Sequence, residues 1–281
     1  MAHRVQVHII GATGRSGTAL CRSLSADAVP IVPIARKPSQ YPDARIADLT
    51  DPPRLRDVLH DATRIVCCAH ASYAPAVIAA APPEARLIFL GSTRKFTQWP
   101  DSHGNGVLAG EAAFLASARN GVMLHPTMIY GAQGEDNVQR LASLLRHLPV
   151  IPLPGGGRAL VQPIHQDDVT RAIRAALEHP WQGPHSLIIA GPAPLPYADF
   201  VRAIAAAARL RQPRIISLPA APLMALATVL RYIPIIPRVR PEEIRRLMED
   251  KSFDVRPMID TLGFQPIPLA EGLARTFTQR S

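Results

Sequence analysis

The run His8-Ile9-Ile10-Gly11-Ala12-Thr13-Gly14-Arg15-Ser16-Gly17 constrains the fold more than any other feature, because it joins a short apolar strand to a glycine-spaced turn that opens a helix. Val5, Val7 and Ile9 alternate with Gln6 and His8, and Thr18 to Leu24 continues as helix-compatible sequence. Gly11 permits a tight strand-to-helix bend, Gly14 leaves no Cβ where a phosphate would approach the backbone, and Gly17 lets helix and strand pack closely. The N–H groups and positive end of that helix then suit an anion, and a dinucleotide's pyrophosphate is the one this geometry fits. Three glycines alone are also compatible with a tight turn that binds nothing. The strand before them and the helix after them argue for the phosphate turn.

The next segments repeat the pattern. Val29 to Ala35 reads as a second strand, Arg45 to Ala47 as a short third, Arg64 to Ala69 as a fourth, Arg86 to Leu90 as a fifth and Val122 to Leu124 as a sixth. Helices are expected between them: one opened by Thr50-Asp51 ahead of Pro52-Pro53, one over Tyr73 to Ala81 and one over Gly110 to Ala118. Alternating strands and helices imply an α/β protein with a doubly wound parallel sheet. Beyond Gly131 the spacing predicts a helix over Val138 to His147, a loop over Pro149 to Gly157, a strand over Leu160 to Ile164, a helix over Asp168 to Glu178, a strand over Leu187 to Ala190 and a helix over Tyr197 to Leu210. The expected division is a dinucleotide-binding domain of residues 1–130 plus about 158–190, and a smaller, mainly C-terminal substrate-side subdomain of residues 131–157 plus 191–281.

Composition removes several other classes. With 281 residues and 47% hydrophobic content the chain can bury a sizeable core. Cys21, Cys67 and Cys68 have neither disulfide-framework nor zinc spacing, so they are expected to be buried thiols of a cytoplasmic protein, with no metal. A net charge of +9 would attract any anion, but aromatics are only 5% and no basic cluster is interleaved with them, so nucleic acid is not an expected partner. The apolar stretch Ile215 to Pro237 is broken by Pro219, Pro222, Arg231 and Pro234; this argues against a membrane span and leaves a peripheral contact open. Composition says nothing about the oligomeric state.

About 20 residues past the glycine turn, where an acidic residue would hold an NAD ribose, stands Ala35-Arg36-Lys37-Pro38. A guanidinium cannot pair with a ribose diol as a carboxylate does, but it fits a 2′-phosphate, so NADP(H) is favoured over NAD(H), with Arg15 and Lys37 nearby.

The G-x-x-G-x-x-G turn resembles that of the short-chain dehydrogenase/reductase superfamily, particularly its extended and atypical members, and the likeness continues along the chain. Asp48-Leu49 looks like the family's pair beside adenine, Cys68-Ala69-His70 like its ribose contact, and Leu90-Gly-Ser-Thr93 puts Ser92 where the family's catalytic serine stands. His125-Pro-Thr-Met-Ile-Tyr-Gly131 is similar to the signature next to nicotinamide, which maps to Pro126, and Val161 to Asp168 to a later strand-and-helix marker. Gly155-Gly156-Gly157, Leu262-Gly-Phe-Gln-Pro266 and Glu271-Gly272 also look like extended members. The resemblance implies a Rossmann-type fold in which Gly11, Thr13, Gly14, Arg15, Ser16, Gly17, Arg36, Lys37, Asp48, Leu49, Ala69, His70 and Pro126 hold the cofactor.

One departure stands out. Catalytic members pair a tyrosine with a lysine four residues later, which lowers the tyrosine pKa. Here the positions four after Tyr41, Tyr73, Tyr130, Tyr197 and Tyr232 hold Arg45, Val77, Gly134, Val201 and Ile236. Aligning Glu111 with the family's glutamate puts His103 in the tyrosine slot and Val107 in the lysine slot. His103 could serve as proton donor beside Ser92, or be a loop residue among Asp101 to Asn105; Lys95, Asp101 and Tyr130 are further polar candidates. Asp167 and Asp168 could suggest acid-base work or, with His165, metal binding, but their position ahead of a helix favours capping it. Two functions remain in view. One is an epimerase/dehydratase-like oxidoreductase acting on a nucleotide-sugar or other small carbonyl substrate, toward which the balance leans. The other is a non-catalytic NADPH-binding structural or regulatory protein, like atypical members associated with respiratory complex I.

Overall fold

The computed structural model describes residues 6–131, 136–230 and 241–278. Seven parallel strands form one sheet in the order β11-β6-β5-β4-β1-β2-β3. They are β1 (Val7–Ile10), β2 (Ile31–Ala35), β3 (Arg45–Ile46), β4 (Arg64–Cys67), β5 (Arg86–Leu90), β6 (Gly121–Pro126) and β11 (Pro184–Ile189). Between them run α1 (Arg15–Ala26), α2 (Pro52–Leu59), α3 (Ala74–Ala80) and α4 (Ser102–Ala116). The chain order reverses between β1 and β4. A doubly wound sheet opens a crevice at such a reversal, outside the carboxyl ends of its strands.

Helices cover both faces, which is why the central strands are nearly continuous in apolar residues. On one face Val7, Ile9, Leu20, Leu24, Val66 and Ile88 pack with α6 (Gln166–Glu178) and α10 (Arg256–Leu262). On the other, Ile10, Ile34, Ile65 and Phe89 pack with α2, α3 and α4 through Leu55, Val77, Val107 and Phe114. The alternation seen around His8 therefore does not mark a solvent-facing side: His8 is fully buried, with Nε2 3.1 Å from Asp61 Oδ1.

The rest of the chain contributes β7 (Ile129–Tyr130), α5 (Asp136–His147), β8 (Val150–Pro154), β9 (Leu160–Val161), β10 (Ile164–His165), β12 (Leu195–Pro196), α7 (Tyr197–Ala207), β13 (Arg214–Leu218), α8 (Ala220–Leu230), α9 (Pro241–Arg246) and α11 (Leu269–Thr278). Its own core joins Val138, Leu145, Leu153, Phe200, Val201 and Leu273. Of the apolar stretch 215–237, residues 231–237 lie outside the described part. Among the described residues no helix is long and apolar enough to cross a membrane, and no metal-ligand cluster occurs.

Three sequence expectations are corrected. The expected loop Pro149 to Gly157 contains β8, which pairs in parallel with β13 in a two-stranded sheet. Its prolines are tolerated because one edge of β8 has no strand partner to receive an N–H. The helix expected from Gly110 starts eight residues earlier, at Ser102, capped by Asp101, whose Oδ1 accepts from Gly104 N at 2.8 Å. Its glycines look like breakers but are contact points: a Cβ on Gly110 would stand 2.0 Å from the Ala71 carbonyl oxygen, and one on Gly106 2.7 Å from His70 Cε1. Finally, α6 is capped not by Asp167 or Asp168 but by His165, whose Nδ1 accepts from Asp167 N. Asp168 is buried and accepts from Ile267 N at 2.7 Å, tying the C-terminal segment to the sheet.

Candidate active site

The cofactor-binding candidates and Ser92 lie at the carboxyl end of a strand or in the turn that follows, on one edge of the sheet. Gly11 to Gly17 link β1 to α1; Arg36 and Lys37 follow β2; Asp48 and Leu49 follow β3; Ala69 and His70 follow β4; Ser92 follows β5; Pro126 ends β6. In the glycine turn Gly11 has φ +76°, and Gly14 N donates to Gly11 O at 2.9 Å. A Cβ on Gly17 would fall 2.1 Å from that same oxygen, so helix and turn can meet only with glycine there. The α1 N-cap, Gly14, makes no side-chain cap hydrogen bond, and no acidic side chain stands in the first turn. Thr13, Gly14 and Arg15 are exposed. A helix start of twelve residues left uncapped and free of acid is suited to an anion.

Arg36 and Lys37 are exposed at the far end of this edge. Asp48 is fixed by Thr50, whose N and Oγ1 donate to Oδ1 at 2.9 and 2.7 Å. Those hydrogen bonds hold its carboxyl below the usual range, and the nearby Arg36 charge adds to the effect. The turn after β4 lies against the glycine turn: an added Gly11 Cβ would meet Ala69 N at 3.2 Å. These residues fit a dinucleotide: a bare helix start for the phosphates, and a cation near a fixed carboxylate for the adenosine end.

Ser92 and His103 line one cavity of about 610 Å³, together with Thr127 and Met128 beyond β6. Ser92 caps a 3-10 turn over Thr93–Phe96, its Oγ accepting from Arg94 N at 3.1 Å. His103 sits in the first turn of α4 rather than in a loop, with its ring 4.4 Å from that of His70 and edge-on to it. Burial lowers its pKa, and the positive fields of His70 and Arg94 lower it further against the opposing charge of Asp101. It is therefore neutral at pH 7. Val107, one turn on, is buried, so no cation stands beside His103 where the lysine of the resemblance would be.

The lysine nearest in sequence is engaged elsewhere. Lys95 Nζ lies 2.5 and 2.6 Å from the two carboxylate oxygens of Glu111, with both side chains almost buried. Glu111 Oε1 also accepts from Ser186 Oγ at 2.5 Å and faces His125 Nε2 at 3.1 Å. Burial pushes the Glu111 carboxyl up, but the hydrogen bonds from Lys95 and Ser186 outweigh it and leave the pKa below normal. Fully buried His125 accepts from Ser92 N through Nδ1 at 3.2 Å, so its ring proton is on Nε2, toward Glu111. Desolvation and the Lys95 charge pull its pKa down to about 4. Sequence reasoning noted Lys95, Glu111 and His125 singly but missed Ser186 and the network, whose one visible signal was a histidine inside an apolar strand. It braces the wall behind Ser92. Asp101 is occupied with capping and with Arg94 Nε at 2.8 Å. Tyr130 is buried, and desolvation pushes its pKa up.

Residues 7–85, from β1 to the turn ahead of β5, match the NAD dependent epimerase/dehydratase family. The match spans the glycine turn and ends before Ser92. No curated protein sequence matches the chain. Among solved structures, the chain is similar to a UDP-glucuronic acid 4-epimerase from Bacillus cereus in complex with UDP-glucuronic acid and NAD, at TM-score 0.73 and 14% identity over 97% of this chain and 98% of that one. A nucleoside-diphosphate-sugar epimerase from Pseudomonas aeruginosa aligns at TM-score 0.71 and 21% identity over 99% and 97%. A UDP-glucose 4-epimerase from Thermotoga maritima aligns at 0.72 and 14% over 98% and 99%. The fold is the Rossmann-type α/β architecture of these proteins.

Proposed function

We propose that this protein binds NADP(H) along the sheet edge and acts as an oxidoreductase on a carbonyl or carbinol carbon held in the adjoining cavity. The observation that carries this reading is that Ser92 and His103 line one cavity, on the same edge as the glycine turn. In this assignment residues 1–130 plus about 158–190 form the cofactor half, and residues 131–157 plus 191–281 the substrate side. Gly11, Thr13, Gly14, Arg15, Ser16 and Gly17 hold the pyrophosphate, and Arg36 and Lys37 the 2′-phosphate. Asp48 and Leu49 flank adenine, Ala69 and His70 the ribose, and Pro126 the nicotinamide. A nicotinamide dinucleotide bound there supplies the redox chemistry, exchanging a hydride with the substrate carbon. Ser92 Oγ donates a hydrogen bond to the substrate oxygen. Neutral His103 takes the proton from that oxygen in alcohol oxidation and returns it in carbonyl reduction.

A second reading, a non-catalytic NADPH-binding regulatory protein, draws on Val107 beside His103 and on the commitment of Lys95 to Glu111. Thermal melting with NADPH and NADH tests the shared part. A ligand at a hundred times its Kd stabilises the native state by about 2.7 kcal/mol, so NADPH is expected to raise Tm at lower concentration than NADH. No shift with either would overturn both readings. Cofactor turnover with a panel of carbonyl compounds separates them: binding without oxidation of NADPH leaves only the second.

A further inference from the structure

We propose that the cavity takes an uncharged ligand with a hydrocarbon body and a single oxygen function, rather than a nucleotide sugar. This rests on the reading of the cavity as the substrate site and specifies its substrate class.

The cavity volume, about 610 Å³, lies in the range that encloses a drug-sized molecule. Its far wall is hydrocarbon: Leu141, Leu144 and Leu148 from α5 and its end, Ile151 and Leu153 from β8, and Phe200 from α7. A nucleoside diphosphate needs cations or N–H donors for its phosphates, and here the lining cations are already engaged. Arg94 is held by Asp101, Arg140 lies 3.6 Å from Glu243, Lys251 lies 3.6 Å from Glu249, and Arg246 has interactions of its own. Glu243 and Glu249, which hold two of these cations, line the cavity as well, as does Asp250, which accepts from Leu160 N. Two of the lining amides are likewise turned inward to the protein. Gln162 bonds the carbonyls of Gly191 and Phe253 and accepts from Phe253 N, and Asn137 donates to Ile129 O.

Ser92 and His103, which line the same cavity, can serve one ligand oxygen. The result is a chamber with a hydrocarbon wall and one pair of groups for a single oxygen. A ketone or secondary alcohol on an alkyl or ring body has that shape.

The probe is N-phenyl-1-naphthylamine, which fluoresces in apolar surroundings. It is expected to bind the full chain and to be displaced by 2-undecanone but not by UDP-glucose. Leu144→Lys is expected to weaken probe binding at least tenfold while the NADPH-induced Tm shift is retained; if that variant fails to fold, Leu148→Gln, checked by its melting curve, serves the same purpose. The proposal is overturned if UDP-glucose displaces the probe, if the wild-type chain binds no probe, or if the leucine variants bind it as the wild type does. Loss of the cofactor reading would appear differently, as an absent NADPH shift with ketone displacement intact.

Discussion

Replacing Lys95 with Met tests how the wall behind Ser92 is held. The two side chains are similar in length, so the change removes a buried charge with little change of shape. Lys95 and Glu111 side chains are 8% and 11% exposed, which puts the pair in the class where losing one partner strands the other charge, at a cost of about 3–5 kcal/mol. Ser186 and His125 still face the Glu111 carboxylate, so the lower end, about 3 kcal/mol, is expected. With a urea m-value of about 3 kcal/mol/M, the unfolding midpoint falls by about 1 M. Lys95→Met/Glu111→Gln, which leaves no unpaired charge, is expected to recover more than half of the loss.

The pH dependence follows from His125. Its folded pKa, about 4, lies below the unfolded value of 6.5, so its contribution is full above pH 6.5 and is lost as pH falls toward 4. Without the Lys95 charge His125 protonates more readily and pairs with Glu111. The variant's deficit therefore narrows between pH 7 and pH 5. A deficit below 1 kcal/mol that does not change with pH would refute this account of the network.

Three further outcomes are expected. Gly14→Val, at an exposed turn position, folds but raises the Kd for NADPH at least tenfold by titration; unchanged affinity would remove the phosphate-turn assignment. Arg36→Asp shifts preference from NADPH toward NADH in paired thermal titrations, and an unshifted preference would show that Arg36 does not meet a 2′-phosphate. His103→Phe lowers the rate of any measured alcohol oxidation by about 10²–10⁴. Because the pKa of His103 lies below 6.5, the wild-type rate rises with pH through a point below 6.5 and then levels; an unaltered rate or profile in the variant would exclude His103 as the proton-transfer group.

The carboxyl-end location of Ser92, Arg36 and Asp48 was legible because each follows a short apolar run, and strand ends are local features. The first turn of α4 was not, since Gly104, Gly106 and Gly110 have poor helix propensity, and the reason for them is across the structure, at Arg94, His70 and Ala71. Strand β8 was hidden for the same reason: its prolines count against a strand until β13, some 60 residues later, is seen to pair with only one of its edges.

Sequence by itself determined the parallel α/β order, the glycine turn with its helix start, the arginine after β2 and the absence of a Tyr-x-x-x-Lys pair. All of these are matters of spacing and residue type along a few consecutive positions. Only the tertiary structure decided that Lys95 is paired with Glu111, that His125 is a neutral brace behind Ser92, and that Leu144, Ile151 and Phe200 share one cavity with Ser92 and His103. Charge pairing, desolvation and cavity shape are set by which distant segments come within a few ångströms of one another, and no local pattern encodes that distance.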